Sequence, residues 1–250
     1  MTDAVKTYVT DGVRTISLNR PEVLNAMNGE LVSELGHAFA EANSDPATRV
    51  VLFHGNGRAF CAGADLRDRG EAIEREQAQR NVDAIQRVTR EMVFGSKVIV
   101  GAIHGWAVGG GFEWAIGCDF PVWGEGARAF FPEVEWGLFV TGGATAILPA
   151  IVGPVKAKEM MLLGRKYTAN ELLALGVAWR VVPDEQLIVE ATSVAAQIAA
   201  LPERSVRDMK LVLNKATYAD VETALALETQ AAVSGSADPA TQARVRQFKA

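Results

Sequence analysis

Two short apolar runs, each followed by a loop of small residues, constrain the fold of this chain more than any other feature. Residues 50–54 (VVLFH) and 97–103 (KVIVGAI) have the length and β-branched content of buried strands. The first run leads into a loop at residues 55–63 with three glycines, and the second leads into a glycine triplet at residues 109–111. Thirteen of the 23 glycines lie between residues 95 and 153. Because glycine lets a ligand approach the backbone closely, this clustering predicts a ligand site at the strand ends.

The order of elements predicts one α/β domain that continues into helices. Asp11 and Gly12 separate two β-rich runs, which is typical of a hairpin. Asn28 is placed to cap a helix, and Thr168 with Glu171 forms a capping box. Further helices are predicted over residues 65–90, 184–200, 203–216 and 220–233. Since no linker divides the chain, the C-terminal helices are expected to pack on the domain or on a partner subunit.

Composition argues against several classes of protein. The net charge is −5 and there is no basic run, so the chain lacks the electrostatic footprint of a nucleic-acid binder. Two cysteines without a CxxC motif favour neither a disulfide framework nor a zinc site. The histidines lack ligand spacing, and neither a P-loop, a dinucleotide fingerprint nor a nucleophile elbow is found.

The sequence also predicts a protein of the cytoplasm. Residues 136–155 carry no charge, but their two prolines and four glycines favour a buried loop and helix over a membrane span. The first residues show no secretory signal. We therefore expect no membrane partner and a reducing compartment.

The two small-residue loops can direct main-chain donors at one oxygen. Residues 57–67 (GRAFCAGADLR) follow the first strand, and residues 104–115 (HGWAVGGGFEWA) follow the second. A helix that begins near Gly110 leaves its first N–H groups unpaired, and these can stabilise an anion. Each loop alone is more simply explained as a tight turn. Together they predict an oxyanion hole.

Two acidic residues are candidates for proton transfer. Glu113 lies three residues beyond Gly110, on the same helix face, and its apolar neighbours predict a raised pKa. Glu133 follows Pro132 in FFPEVEWG, where spacing alone does not distinguish it from Glu135. Two adjacent carboxyls cannot easily both ionise, so one is expected to hold a proton near neutral pH. Such a pair suits proton transfer or water addition beside a carbonyl.

Several segments, in this order, match one known family: ISLNRPEVLNAMN, AFCAGADLR, GWAVGGGFEWAIGCD, FPEVEWGL and LLGRKYTANELLALGVAWRVVP. Over nearly its full length the chain resembles the enoyl-CoA hydratase/isomerase (crotonase) superfamily. The resemblance implies an α/β fold of the ClpP/crotonase type, a spiral of β-β-α units at residues 1–195. A helical region at residues 196–250 would pack on the core and on a neighbouring subunit. Homotrimers or hexamers, and a role in fatty-acid β-oxidation, are also implied.

The resemblance implies a role for individual residues. Glu113 and Glu133 are similar to the two catalytic carboxyls of hydratases, which favours Glu133 over Glu135. Ala64 and Gly110 look like the oxyanion-hole donors. The implied substrate is an acyl-CoA thioester, and neither a metal nor a cofactor other than the coenzyme A of the substrate is expected. The other residues expected to contact the substrate or its coenzyme A are Val23, Ala62, Asp65, Leu66, Arg67, Gly109, Pro132, Thr141 and Phe248.

The leading prediction is an enoyl-CoA hydratase, which adds water syn across the 2,3-double bond. A Δ3-Δ2-enoyl-CoA isomerase is an alternative, because isomerases can work with one carboxyl. Val140 and Thr141 stand where the family commonly has Gly or Pro-Gly, so the acyl pocket is expected to have a different shape. VEWG is similar to a segment of hydroxycinnamoyl-CoA hydratase-lyases, which keeps an aromatic acyl-CoA lyase or dehydratase open, although those enzymes lack a Glu at position 113. Paired buried acids disfavour a non-catalytic acyl-CoA-binding protein.

Overall fold

Two sheets organise the chain in the computed structural model, which describes residues 4–67 and 75–249, with side chains up to residue 247. The strands are β1 (Val5–Thr10), β2 (Val13–Leu18), β3 (Val50–Gly55), β4 (Val98–Ile103), β5 (Trp106–Val108), β6 (Phe120–Gly124), β7 (Arg128–Phe130), β8 (Tyr167–Thr168) and β9 (Arg180–Val182). The main sheet has the order β1-β2-β3-β4-β6-β9, and the smaller sheet has the order β5-β7-β8.

Helices follow the strands in a repeating pattern. They are α1 (Gly29–Ser44), α2 (Arg75–Val93), α3 (Gly110–Ile116), α4 (Ala144–Val152), α5 (Pro154–Leu162), α6 (Ala169–Ala174), α7 (Leu187–Ala199), α8 (Glu203–Thr217), α9 (Val221–Ser236) and α10 (Pro239–Lys249), with short 3-10 turns at Pro21–Val23, Glu133–Trp136 and Asp184–Gln186. The successions β1-β2-α1 and β4-β5-α3 are β-β-α units of the kind that the family resemblance implies.

Local sequence signals act as predicted. Asp11 and Gly12 both have positive φ, 50° and 79°, which the tight turn between the antiparallel strands β1 and β2 requires. The side chain of Asn28 accepts a hydrogen bond from the Leu31 N–H and caps α1. The capping box at Thr168 is complete. The helix predicted over residues 65–90 begins at Arg75 in the described chain, and residues 68–74 lie outside the description.

The neighbouring pairs from β2 to β9 in the main sheet are parallel, and helices cover both of its faces. Strands β2 and β4 are therefore buried along their whole length. On one face Phe53 of β3 packs edge-to-face on Phe39 of α1 and on Trp114 of α3, with ring centroids 5.3 and 6.5 Å apart. On the other face Leu187 and Val194 of α7 pack on β3 and β4. This packing fixes α3 at the carboxyl ends of the parallel strands.

Helices α8, α9 and α10 follow the main sheet. The predicted division between residues 195 and 196 falls inside α7, and the division of the chain into two regions stays a prediction. Helix α9 packs on α2 and α4. None of the described helices is long and apolar enough to cross a bilayer.

Asn25 joins the segment before α1 to the loop after β3. It is fully buried and adopts a left-handed conformation with φ 56°. Its Oδ1 accepts from the Arg20 N–H at 2.8 Å, and its Nδ2 donates to the carbonyl oxygens of Asn56 and Ala59 at 2.9 and 2.8 Å. One side chain therefore bonds three main-chain groups, and its bond to the Ala59 carbonyl lies in the buried interior.

We predict that Asn25→Ala destabilises the protein by about 3 kcal/mol, because it removes three hydrogen bonds and leaves the buried Ala59 carbonyl without this partner. Alanine is also less tolerant of the left-handed conformation than asparagine. Denaturant unfolding of the variant measures the loss. The matched control is Asn81→Ala on the exposed face of α2, which should change stability by less than about 0.5 kcal/mol. Equal stability of the two variants would contradict this role of Asn25.

Candidate active site

Stretches of main chain run side by side where β3 and β4 end. Met27, just before α1, forms a parallel bridge with Ala64 in the loop after β3. A Cβ at Gly63 would lie 2.6 Å from the carbonyl oxygen of Val108 in β5, so this approach admits only glycine. The two small-residue loops of the sequence analysis therefore lie against each other.

The N–H groups of Ala64 and Gly110 donate to no other described residue. Ala64 is exposed and Gly110 is half-buried, so both can be reached from outside. The sulfur of Met27 lies 2.6 Å from the position that a Cβ on Gly110 would take. Met27 thus borders both residues, and their unpaired donors are free for a ligand oxygen.

Glu113 is buried on α3, with 3% of its surface exposed. Its Oε1 accepts from the Thr141 N–H at 2.9 Å, whereas Oε2 has no hydrogen-bond partner among the described residues. Burial raises the pKa of Glu113 well above its ordinary value, and the negative charges of Glu228 and Glu133 raise it further. The Thr141 N–H stabilises the ionised carboxylate and so lowers the pKa of Glu113, whereas burial in the low-dielectric interior raises it.

Glu133 begins the 3-10 turn that follows β7. Its Oε2 is buried and has no hydrogen-bond partner among the described residues. Burial raises the pKa of Glu133 to about 7. Glu135, two residues later, is exposed at the far end of the turn. The structure thus separates the two acids that spacing alone left equivalent.

The two carboxyls lie on either side of the glycine pair that opens α3. A side chain on Gly109 would collide with Oε1 of Glu133, and a Cβ on Gly110 would lie 3.8 Å from Oε2 of Glu113. The N–H of Gly109 donates to the Phe130 carbonyl at 3.0 Å, which leaves the Gly110 N–H as the open donor. Two titratable groups and an unpaired amide donor therefore share one space.

Comparison with known proteins assigns the chain to a family. The model for enoyl-CoA hydratase/isomerase matches residues 9–248 of the chain. The chain belongs to the enoyl-CoA hydratase/isomerase family. The prediction of an enzyme of the enoyl-CoA hydratase type is confirmed at the level of this family.

Individual relatives agree over most of their length. The crotonyl-CoA hydratase of Syntrophomonas wolfei is 32% identical, and the match covers 86% of this chain and 82% of that protein. The 1,2-epoxyphenylacetyl-CoA isomerase of Escherichia coli (strain K12) is 31% identical over 91% of this chain and 88% of that protein. The crystal structure of an enoyl-CoA hydratase/isomerase from Mycobacterium paratuberculosis matches with a TM-score of 0.92 at 27% identity and covers 99% of both chains. The predicted crotonase-like spiral is thereby confirmed.

Several residues predicted to contact the substrate or its coenzyme A lie around the loop after β3. The Ala62 N–H donates to the Leu24 carbonyl at 3.0 Å, and Asp65 pairs with Arg20 at 3.1 Å. Through these contacts Ala62 and Asp65 stabilise the conformation of the loop. The three other residues of this group are a half-buried Val23, a buried Leu66 and an exposed Arg67. Their contact with substrate stays a prediction.

Of the three further predicted contacts, Pro132 and Thr141 lie beside the carboxyls. Pro132 directly precedes Glu133. Thr141 offers its N–H to Glu113 rather than to open space. Phe248 lies on α10, and its side chain is outside the described residues. No cluster of three or more metal-ligating side chains occurs in the described part of the chain.

Sequence reasoning missed Glu228 on α9. This side chain is fully buried and accepts hydrogen bonds from the Gly143 and Thr145 main chain, next to the stretch that binds Glu113. An acid inside the apolar run LALETQAAV is the one local signal that marks it. Its partners are distant in sequence, so their identity could not be read from α9.

We predict that Glu133→Gln stabilises the protein more at about pH 8 than at about pH 5. The pKa of about 7 in the folded protein exceeds the ordinary 4.5, so the folded state binds this proton more tightly than the unfolded chain. Folded stability therefore falls as pH rises through this window, and an amide escapes the cost. The Tm at both pH values measures the effect.

Glu135→Gln on the same turn is the matched control, and its Tm difference from wild type should stay small at both values. A Tm difference for Glu133→Gln that is independent of pH would place the Glu133 carboxyl in a solvent-like environment, contrary to its burial.

Proposed function

We propose that the protein is an enoyl-CoA hydratase. The observation that carries the proposal is the pair of carboxyls, Glu113 and Glu133, with raised pKa values beside the unpaired N–H groups of Ala64 and Gly110. This set matches what water addition to a conjugated thioester needs. The name of the crotonyl-CoA hydratase relative gives further support.

Charge development in the reaction explains the two amides. When water adds at C3 of an enoyl thioester, the electron pair of the double bond moves toward the carbonyl. The result is an enolate, whose negative charge is shared between C2 and the thioester oxygen. The N–H groups of Ala64 and Gly110 donate to the thioester oxygen and stabilise the enolate more than the ground-state carbonyl. Because glycine stands at position 110, the thioester can approach this amide closely.

Proton balance explains the two carboxyls. The ionised member of the pair accepts a proton from the attacking water, the hydroxyl bonds to C3, and the protonated member delivers its proton to C2. We assign delivery at C2 to Glu133. The product is a 3-hydroxyacyl-CoA.

We infer that the protein acts as a homotrimer or hexamer in the cytoplasm, with coenzyme A arriving only as part of the substrate. The apolar side chains of Met209, Val212 and Leu213 on α8 are exposed, which supports a contact between subunits. The thiols of Cys61 and Cys118 are unpaired, which supports a reducing compartment. Light scattering of the purified chain tests the oligomer.

We predict that Glu113→Gln and Glu133→Gln each lower kcat for hydration of crotonyl-CoA by about 10²–10⁴-fold, because each removes one proton-transfer group. Loss of absorbance from the conjugated thioester measures the rate. Glu135→Gln should retain the wild-type rate. Wild-type turnover in either of the first two variants would remove that residue from the mechanism.

Product mass distinguishes hydration from the alternatives. A panel of aliphatic and aromatic enoyl-CoA thioesters should gain the mass of one water. A shifted double bond at unchanged mass would instead indicate a Δ3-Δ2 isomerase, and cleavage of the acyl chain would indicate a hydratase-lyase. Binding without turnover of any substrate in the panel would indicate an acyl-CoA-binding protein.

We predict that Ala64→Pro lowers kcat by about 10²–10³-fold with little change in Tm. Proline removes the N–H at this position. Because that N–H donates a hydrogen bond to no described residue, the fold loses no hydrogen bond. Ala64→Ser keeps the N–H and serves as the matched control. A proline variant as active as the serine variant would show that this amide does not bind the enolate oxygen.

A further inference from the structure

We propose that Glu228 is a positioning residue for Glu113: from α9 it fixes the loop between the 3-10 turn and α4, and that loop holds the Glu113 carboxyl. The inference rests on the proposed function, because it assigns Glu113 a part in catalysis. Glu228 touches neither of the predicted oxyanion donors, so it acts through the loop.

The loop, taken together with the first two residues of α4 as residues 141–145, offers its amides to two different acids. The Thr141 N–H donates to Oε1 of Glu113 at 2.9 Å. Two residues later, the Gly143 N–H donates to Oε2 of Glu228 at 2.8 Å. The Thr145 N–H and hydroxyl both donate to Oε1 of Glu228, at 2.9 and 2.6 Å. Both oxygens of Glu228 are thus occupied by this loop.

The loop packs closely against Glu113 at Gly142. A Cβ on Gly142 would lie 2.7 Å from Oε2 of Glu113, so a side chain at this position would have to displace the Glu113 carboxyl. Gly143 has φ 81°, a conformation that other residues rarely adopt. A displacement of the anchored end at residues 143–145 is therefore transmitted to the Thr141 N–H.

Helix α2 supports the same arrangement from the other side. Thr89 donates its hydroxyl to the Gly142 carbonyl at 3.0 Å. Gln86 donates to the Leu225 carbonyl and to the Thr229 hydroxyl, both at 2.8 Å, and so ties α2 to the turn of α9 that carries Glu228. The anchor is thus held in place by two helices rather than by one flexible side chain.

A carboxylate at this position also acts on Glu113 electrically. Burial raises the pKa of Glu228, while its three donors lower it. The acidic groups that act on Glu113 are Glu228 from α9 and Glu133 from the 3-10 turn, and both raise its pKa. Thr89, the residue that α2 directs at the loop, carries no charge. An amide at position 228 removes one of the two repelling charges.

The decisive variant is Glu228→Gln. The Nε2 of its side-chain amide cannot accept from an N–H as the replaced carboxylate oxygen does, so the variant loses at least one loop contact as well as the charge. We expect kcat for crotonyl-CoA hydration to fall between about 10- and 100-fold, as small misplacements of catalytic groups do. KM should stay within about twofold, since binding energy from the coenzyme A is untouched.

An infrared titration gives a readout that a purely structural role would not move. The band of the protonated Glu113 carboxyl is assigned as the one that Glu113→Gln abolishes. In Glu228→Gln its midpoint should shift to lower pH, because a negative charge near Glu113 is gone. Glu222→Gln, an exposed acid on the same helix that pairs with Arg90 at 2.8 Å, is the matched control and should change neither rate nor midpoint.

Thr145→Val keeps the charge of Glu228 and removes one of its donors, so it tests the anchor even where Glu228→Gln does not fold. Its kcat should fall by several-fold without a shift of the midpoint to lower pH, and Thr145→Ser should recover most of the rate.

Unchanged kcat and midpoint in Glu228→Gln, or a loss of kcat that merely follows lost folding with the midpoint fixed, would overturn the proposal. If wild-type protein hydrates no enoyl-CoA, the proposed function fails, and the infrared titration still decides whether Glu228 acts on Glu113.

Discussion

The candidate site depends on glycines at which the main chain approaches a neighbouring group too closely for a side chain to fit. Gly63 lies against the Val108 carbonyl, Gly109 lies against Glu133, and Gly142 lies against Glu113. At each of these points a methyl group on the glycine would push the neighbouring group away. The result is that two amides from separate loops and two carboxyls from separate elements share one space. The parallel sheet makes this possible, because the loops after β3 and β4 leave it at the same edge.

Burial gives the carboxyls their chemistry and also their cost. An acid in water ionises near its ordinary pKa and is a poor proton donor at neutral pH. The interior of this protein withdraws solvent from Glu113 and Glu133 and leaves one oxygen of each without a described partner. Such groups destabilise the fold at neutral pH, and the apolar layers on both faces of the sheet supply the stability that offsets them. The site is therefore a region where local stability is given up for a usable proton.

Sequence reasoning reached the features whose causes are local. The hairpin at Asp11 and the cap at Asn28 each depend on neighbours within three residues, and the two loops could be matched because each follows an apolar strand. Long-range polar contacts were beyond it. Asn25 bonds the Ala59 carbonyl across 34 residues, and Glu228 bonds Gly143 across 85. Since a buried polar side chain looks the same in sequence whichever distant group it satisfies, only the folded chain identifies the partner.

The contact between Glu228 on α9 and the loop beside Glu113 indicates a second role for the C-terminal helices. By sequence they read as an appendage for packing on the core and on a neighbouring subunit. In the structure α9 packs on α2 and α4 and places an acid against the loop that binds Glu113. A helix that only filled a subunit interface would gain nothing from a buried carboxylate, because desolvating the charge costs free energy that an apolar residue would not. The proposed positioning role accounts for this cost, because Glu228 holds the loop, and with it the Glu113 carboxyl, in one geometry.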